Sequence, residues 1–434
     1  MSSNNETEIE SFKSAAYKRS RIAYSAQCTF EYLISLLISD AFLAKLLTNI
    51  GISDAMIGII SSFISFAFLF QLLSIELISR MKNVKGTVVF FDCLSQMLYI
   101  CMYFVPFIEA DVSMKTVLVI VAIILAYFSK YIVSSILFNW ANSYVEPHSR
   151  GVFSAVKEMI SLFSGMVFSL AVGFLVDKYE AAGNLRGGFV FIIILLLILN
   201  ILNFISLIMI KNTKLSNQSN KIPIKEVLAN TVGNKNYRSV IVLLSMWSIA
   251  VYMTNSFMGI FKTKDLLMSL GLVQIVNMIA NGMRLVFSIP LGKYSDKKSY
   301  AKGIELALII AAVGFAVNMF TQKNTWWLII VYTVLYNVSI AGTNANKFNI
   351  TYSYVRSEYL VQAMAIQNCI SGVLGFCASL VGSFILSYIQ RNGNMIFGIS
   401  VYGQQVLSAV SLIIVLCAII YDRLVIEKQK IIIQ

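Results

Sequence analysis

The sequence predicts an all-α polytopic membrane protein, with twelve transmembrane helices arranged as two pseudo-symmetric six-helix bundles. Three observations predict it. The 434-residue chain is 58% hydrophobic, with 13% charged residues and only four prolines, and its mean hydropathy of +0.77 is far too apolar for a soluble protein. Apolar runs of about 20 residues recur from end to end, long enough to cross roughly 30 Å of hydrocarbon as helix, and they lack the alternation of a β-barrel. Finally, the two halves repeat at an offset of 210: Phe138-Asn139, Ser143-Tyr144-Val145, Ala155, Ile160-Ser161 and Gly165 recur as Phe348-Asn349, Ser353-Tyr354-Val355, Ala365, Ile370-Ser371 and Gly375. Such duplication is the trace of carriers whose two bundles flank a site near the bilayer midplane.

Taken in order, residues 1–23 are polar and show no cleavable signal, and are expected as an inner N-terminal segment. Residues 24–210 hold the first bundle. Its spans are expected at about Tyr24–Leu47, Met56–Ile78, Thr87–Ile108, Lys115–Phe138, Val152–Val176 and Gly188–Ile210. A charged linker, 211–238, follows, and residues 239–421 hold the second bundle. Spans 7 to 12 are expected at about Ser239–Phe261, Met268–Leu291, Lys302–Thr321, Trp326–Asn346, Val361–Ile389 and Ile396–Tyr421, with 422–434 as an inner tail. The four prolines fall at or near expected helix ends, where a missing N–H does least harm. Trp326 and Trp327 stand at an outer boundary, as interfacial anchors should.

The net charge of +13 is distributed by topology, and nucleic acid is not an expected partner. With the spans as placed, inner segments carry 22 Lys and Arg, outer loops 6 and the spans 6, together all 34. That asymmetry puts both termini in the cytoplasm of a multi-pass protein of the cell membrane. All six cysteines lie inside apolar runs and away from any metal-like cluster, so they read as packing residues. No nucleotide-binding glycine loop, Walker lysine or metal cluster is present, so neither an enzyme nor a bound cofactor is expected.

Between spans 8 and 9 lies Pro290-Leu291-Gly292-Lys293-Tyr294-Ser295-Asp296-Lys297-Lys298-Ser299-Tyr300-Ala301-Lys302-Gly303, read as a short charged interruption. Gly292, Asp296, Lys297, Lys298 and Lys302 resemble the Gly-x-x-x-Asp-basic loop signature of the major facilitator superfamily. The second glycine and adjacent basic pair are replaced by Ser299, Tyr300 and Ala301. Arg80-Met81-Lys82-Asn83-Val84-Lys85-Gly86 is the first-half counterpart, basic but without aspartate. Asn139 to Gly165, with Arg150-Gly151 opening span 5, is similar to that family's inner loop between spans 4 and 5. The resemblance covers essentially the whole chain and implies the family's fold and alternating-access transport. It also implies a gate in which Asp296, with Gly292 and Lys297, meets the N-terminal end of span 5, near Arg150, or of span 11.

Polar residues at bilayer depth are costly, so they mark a cavity or a partner. Gln274, Asn277, Asn281, Arg284 and Ser288 fall within roughly 80° of arc on span 8 at about 100° per residue. Span 10 repeats the pattern with Thr333, Tyr336, Asn337 and Asn344, and span 7 adds Tyr252, Thr254 and Asn255. Gluing helices together would use one or two such amides; five on one face, including an arginine, point to substrate binding. In the first half, Gln27, Glu31, Ser35 and Ser39 stack on span 1, with Asp40 about 180° from Glu31. Span 4 carries Lys130, and span 5 carries Lys157-Glu158. Lys130 is a candidate substrate-binding residue, and Glu31 and Glu158 are candidates for proton coupling, because desolvation raises a carboxyl's pKa and a nearby cation lowers it. The alternative for Glu158 is a closed ion pair with Lys130 or Lys157. Asp92, one turn inside span 3, reads as structural or gating.

The expected function is secondary active transport of a small polar or anionic solute, with protons as second partner and the chain acting as a monomer in the bilayer. A carrier for lipophilic drugs is the alternative; a polytopic transferase fits less well.

Overall fold

The structure, a computed structural model, describes residues 14–71, 83–146, 149–211, 228–356, 359–396 and 398–429. In order, the helices are α1 Ala15–Leu37, α2 Asp40–Ile50, α3 Asp54–Phe66, α4 Val84–Phe104, α5 Val112–Ser143, α6 Arg150–Ala181 and α7 Leu185–Met209. They continue as α8 Lys235–Asn255, α9 Leu270–Lys297, α10 Tyr300–Asn318, α11 Leu328–Tyr354, α12 Leu360–Arg391 and α13 Gly403–Tyr421. Among the described residues, eleven helical stretches are long and apolar enough to cross a membrane, and twelve when the bent pair α1 and α2 is taken as one span. The expected all-α polytopic fold is what forms.

Span 1 is broken where a continuous helix was expected. The chain bends by 43° between α1 and α2, and Asp40 resumes the helix from a left-handed φ of 46°, a conformation aspartate tolerates better than most residues. The Tyr103 hydroxyl donates to the Leu37 carbonyl at the break, supplying a donor where the helical ladder stops. A helical wheel cannot be carried across this break, so the expected 180° separation of Asp40 from Glu31 does not apply.

Two other boundaries move. The loop read as an interruption from Pro290 onward is mostly helix: α9 runs through Pro290 to Lys297, and only Lys298 and Ser299 separate it from α10. Pro290 is therefore inside a helix. It cannot donate to the carbonyl four residues back, and it lies on the exposed side of the helix, with Val286 64% and Ile289 66% exposed. Span 12 starts later than expected, because Met395–Ile396 and Ile399–Ser400 pair as a short antiparallel hairpin. Gly393, Asn394 and Gly398 take positive φ there, which turns the chain before the apolar periodicity can become helix. Of the other prolines, Pro106 lies in a 3-10 turn at the end of α4, and Pro147 and Pro223 lie outside the described residues, as do Arg80 to Lys82 and most of the linker.

The chain separates into two compact units. One comprises residues 1–50 and 70–220, the other 51–69 and 221–434, so that α3 counts with the second unit. There α3 packs on α12: Asp54 is paired with Lys264 at 2.7 and 2.8 Å and accepts from Gln390 Nε2 at 2.8 Å, and Ser379 Oγ donates to Ser62 Oγ at 2.6 Å.

The sequence repeat reappears as equivalent contacts inside each unit. Ser161 and Ser371, matched at the 210 offset, each share a 3.1 Å hydrogen bond with another hydroxyl, that of Thr29 on α1 and of Ser245 on α8. A Cβ on Gly165 would lie 2.4 Å from the Tyr32 ring, and one on Gly375 2.5 Å from the Tyr252 ring. Both glycines therefore let the same pair of helices approach closely, the role small residues play in membrane bundles. The Tyr144 and Tyr354 carbonyls, matched again, accept from Arg21 Nη1 and Asn234 Nδ2, each at 2.9 Å.

Candidate functional site

In the first unit, the side chains of α1 and α5 bring Glu31 and Lys130 together. Lys130 Nζ lies 2.7 Å from Glu31 Oε1, and Gln27, one turn before Glu31, donates to its Oε2 at 2.9 Å. Lys130, expected to bind substrate, is thus committed to the carboxylate expected to carry the proton. Glu158 lies on an exposed part of α6, while its neighbour Lys157 sits 5.4 Å over the Tyr24 ring.

Asp92, read as structural or gating, belongs to this cluster. It is 1% exposed on α4, accepts a hydrogen bond from Asn203 Nδ2 of α7, and is within electrostatic reach of Glu31 and Lys130. Around it, Gln96 Nε2 and Oε1, Asn200 Oδ1 and Asn203 Oδ1 are buried without a hydrogen-bond partner among the described residues. Groups in that position are rare in folded proteins and point to water or a solute. The signal for Asp92, Asn200 and Asn203 was present in the sequence as polar residues inside apolar runs. What was missing was the knowledge that α4 and α7 face one another.

In the second unit the polar stripe of α9 is turned away from its lipid-like face. Gln274 is 4% exposed and Asn277, Asn281, Arg284 and Ser288 are half-buried, while Ile279, Val286 and Ile289 are exposed. Asn277 Oδ1 accepts from Lys262 Nζ at 3.4 Å. Lys262 was counted with the outer-loop cations, yet it is 3% exposed, because span 7 continues past Asn255 through a π-turn, Phe261–Asp265. Such turns re-aim side chains and cluster at functional sites.

Asn255 and Tyr336 also meet, through a residue not singled out beforehand. The Tyr332 hydroxyl donates to Asn255 Oδ1 at 2.8 Å, and the Tyr332 ring stacks on Tyr336 at 6.0 Å between centroids. Tyr336 in turn stacks on Trp247 at 6.5 Å and is within electrostatic reach of Arg284. The result is a ladder of three rings from α8 and α11, edged by an amide and a guanidinium.

Other candidates stand apart. Asn337 donates to the Thr333 carbonyl of its own helix at 2.9 Å, Asn344 is exposed, and Lys347 is paired with Asn368. Tyr252 packs by Gly375. Gly292 has open space around it, and Asp296 and Lys297 are exposed in the last turn of α9. Arg150 opens α6, and its side chain lies outside the described residues. Lys85, from the first-half basic loop, donates to the Ile208 and Ile210 carbonyls at 2.7 and 2.8 Å, capping the end of α7.

The sequence profile of the Major Facilitator Superfamily matches residues 22–379, whereas no curated protein sequence matches significantly. Among solved structures, a mutant of the nucleoside transporter NupG superposes with a TM-score of 0.74 at 9% identity, covering 93% of this chain and 99% of that one. A bacterial homologue of the human lysosomal transporter Spinster, inward-facing and unoccupied, gives 0.65 at 12% identity over 97% and 99%. An inward-facing bacterial homologue of the iron transporter ferroportin gives 0.67 at 11% identity over 95% and 99%. Likeness at such low identity shows a shared fold, and the profile match over most of the chain shows the family: this chain belongs to the major facilitator superfamily and is a non-enzymatic membrane transporter.

Proposed function

We propose that the protein is a proton-coupled secondary transporter that moves a small polar or anionic solute across the cell membrane by alternating access. The observation that carries this reading is the Glu31–Lys130 pair, shielded from solvent and flanked by Gln27, Asp92 and Asn203. A carboxylate held by an ammonium in a low-dielectric setting can exchange its partner for a proton when the pair is pulled apart, and a change of conformation supplies that separation. Asp92 is a second proton-accepting group within reach. The exposed position of Glu158 makes it the weaker of the two coupling candidates.

Arg284, Lys262, Asn277 and Asn255 would hold polar or anionic groups of the solute, and the faces of Trp247 and Tyr336 would hold a flat or apolar face. This set is richer in hydrogen-bonding groups than a site for lipophilic drugs needs. The nucleoside carried by NupG is one solute of this kind, so nucleosides belong in the first panel tested. Asp296, Gly292, Lys297 and Arg150 remain proposed gate residues, and the distribution of basic residues supports cytoplasmic termini. A monomer is the proposed working state.

The test is a thermal-shift screen of purified protein against nucleosides, sugars, organic acids and drugs, followed by uptake of each hit into proteoliposomes with and without an imposed pH gradient. Uphill uptake of a polar hit driven by the gradient is expected. Stabilisation by lipophilic cations alone, with gradient-independent flux, would overturn the assignment.

A further inference from the structure

A second charged cluster lies in the second unit, where the start of α10 meets the chain just beyond α13. Helix α13 ends in a π-turn, Asp422–Ile426, and the Glu427 N–H closes it on the Asp422 carbonyl at 3.0 Å. That i→i+5 pattern stacks Glu427 over Asp422 and brings both beside Glu305 of α10. One carboxylate oxygen from each of the three lies within 4.8 Å of the others.

Two basic side chains attend the cluster from its solvent side. Lys302 is 2.8 Å from Glu305 Oε2 and also pairs with Glu427, and Arg423 pairs with the other oxygen of Glu305. Their side chains are 39% and 58% exposed, whereas that of Glu305 is 7% exposed and Asp422 is completely buried. Both carboxylate oxygens of Asp422 lack a hydrogen-bond partner among the described residues. A buried carboxylate with neither donor nor cation of its own is a costly arrangement. With all three carboxyl groups ionised, the cluster's one lysine and one arginine leave one negative charge uncompensated.

We propose that Glu305, Asp422 and Glu427 form a binding site for a hard divalent cation, of the class of Mg²⁺, Mn²⁺ or Ca²⁺, which takes the place held here by the Lys302 ammonium. Replacing one positive charge by two brings the cluster to neutrality and supplies Asp422 with the partner it lacks. Oxygens within 4.8 Å of one another suit a single ion, since ligands at 2.0–2.6 Å from a shared centre lie at most about 5 Å apart. All donors are carboxylate oxygens, the set these cations prefer over softer metals. Lys302, flexible and on the solvent side, can swing out to open the site. The Tyr354 hydroxyl, at the end of α11, is a further titratable group within electrostatic reach of Asp422. The bound ion would clasp α10 to the end of α13.

The experiment is equilibrium dialysis of the full chain in detergent against Mn²⁺, with Mg²⁺ and Ca²⁺ as competitors. One saturable Mn²⁺ site is expected. Asp422→Asn should weaken it by at least about tenfold, since even outer-shell changes at metal sites cost 10–100-fold. Glu427→Gln, a second variant at a partly exposed position, should weaken it to a comparable extent. Lys302→Gln should tighten binding, because no ammonium then has to be displaced, and Mn²⁺ should raise its melting temperature more than that of the wild type. Absence of saturable binding, unchanged affinity in Glu427→Gln, or weaker binding in Lys302→Gln would each overturn the proposal; binding of a proton alone would show as the first of these.

Discussion

Glu31→Gln keeps the shape of its side chain and removes the charge that Lys130 faces. The pair is 2.7 Å apart, with side chains only 20% and 24% exposed, so the surviving ammonium is left largely without water or counter-ion. Removing one partner of a buried pair costs about 3–5 kcal/mol. The new amide can still accept from Lys130, which returns about 1 kcal/mol, and Asp92 supplies residual compensation. A loss of about 2–4 kcal/mol is therefore expected. Lys130→Gln should cost about the same, and the double variant less than the sum, with a coupling energy of about 1–3 kcal/mol. Unfolding in detergent measures the cycle. Transport supplies the functional arm: Glu31→Gln should lose accumulation driven by a pH gradient while retaining counterflow exchange, which needs the conformational cycle but no net proton movement. Strict additivity of the two single variants would refute the energetic account. Equal loss of gradient-driven uptake and counterflow would refute the coupling role.

Three further outcomes follow from packing and charge. Asp54→Asn removes the anionic acceptor of Lys264 and should destabilise the protein by about 1.5–3 kcal/mol, as loss of a charged hydrogen bond does, read from unfolding in detergent. Gly165→Ala places a methyl 2.4 Å from the Tyr32 ring and should cost about 1–3 kcal/mol by overpacking; adding Tyr32→Leu should recover part of that melting temperature. Arg284→Ala should raise KM for an anionic solute far more than for a neutral one, while an equal effect on both would place Arg284 outside the binding site.

Much of the second-unit site was legible because helical periodicity acts over one element at a time. The arc from Gln274 to Arg284 could be drawn from a single helix, and it is indeed the protein-facing side of α9. The partners in three dimensions were not legible in the same way. Tyr332 lies next to Thr333 in a polar stripe and was passed over, because nothing local says that its hydroxyl reaches Asn255 on another helix. Lys262 looked like a loop residue because a π-turn, which sequence periodicity does not announce, carried the helix past its apparent end. Lys130 could be read as a substrate ligand only while its distance from Glu31, set by the packing of α1 on α5, was unknown.

By itself, the sequence determined that this chain spans a membrane about twelve times, that its halves are duplicates, and which residues would be expensive to leave in lipid. Those are properties of composition, length and spacing, and the bilayer enforces them on each segment separately. Only the tertiary structure decided which costly residues compensate one another: Glu31 with Lys130, Asp92 with Asn203, Asn255 with Tyr332, and Asp422 with no partner among the described residues. Electrostatic and hydrogen-bond energies depend on distances of a few ångströms between helices far apart in the chain, and those distances are set by packing rather than by any local pattern.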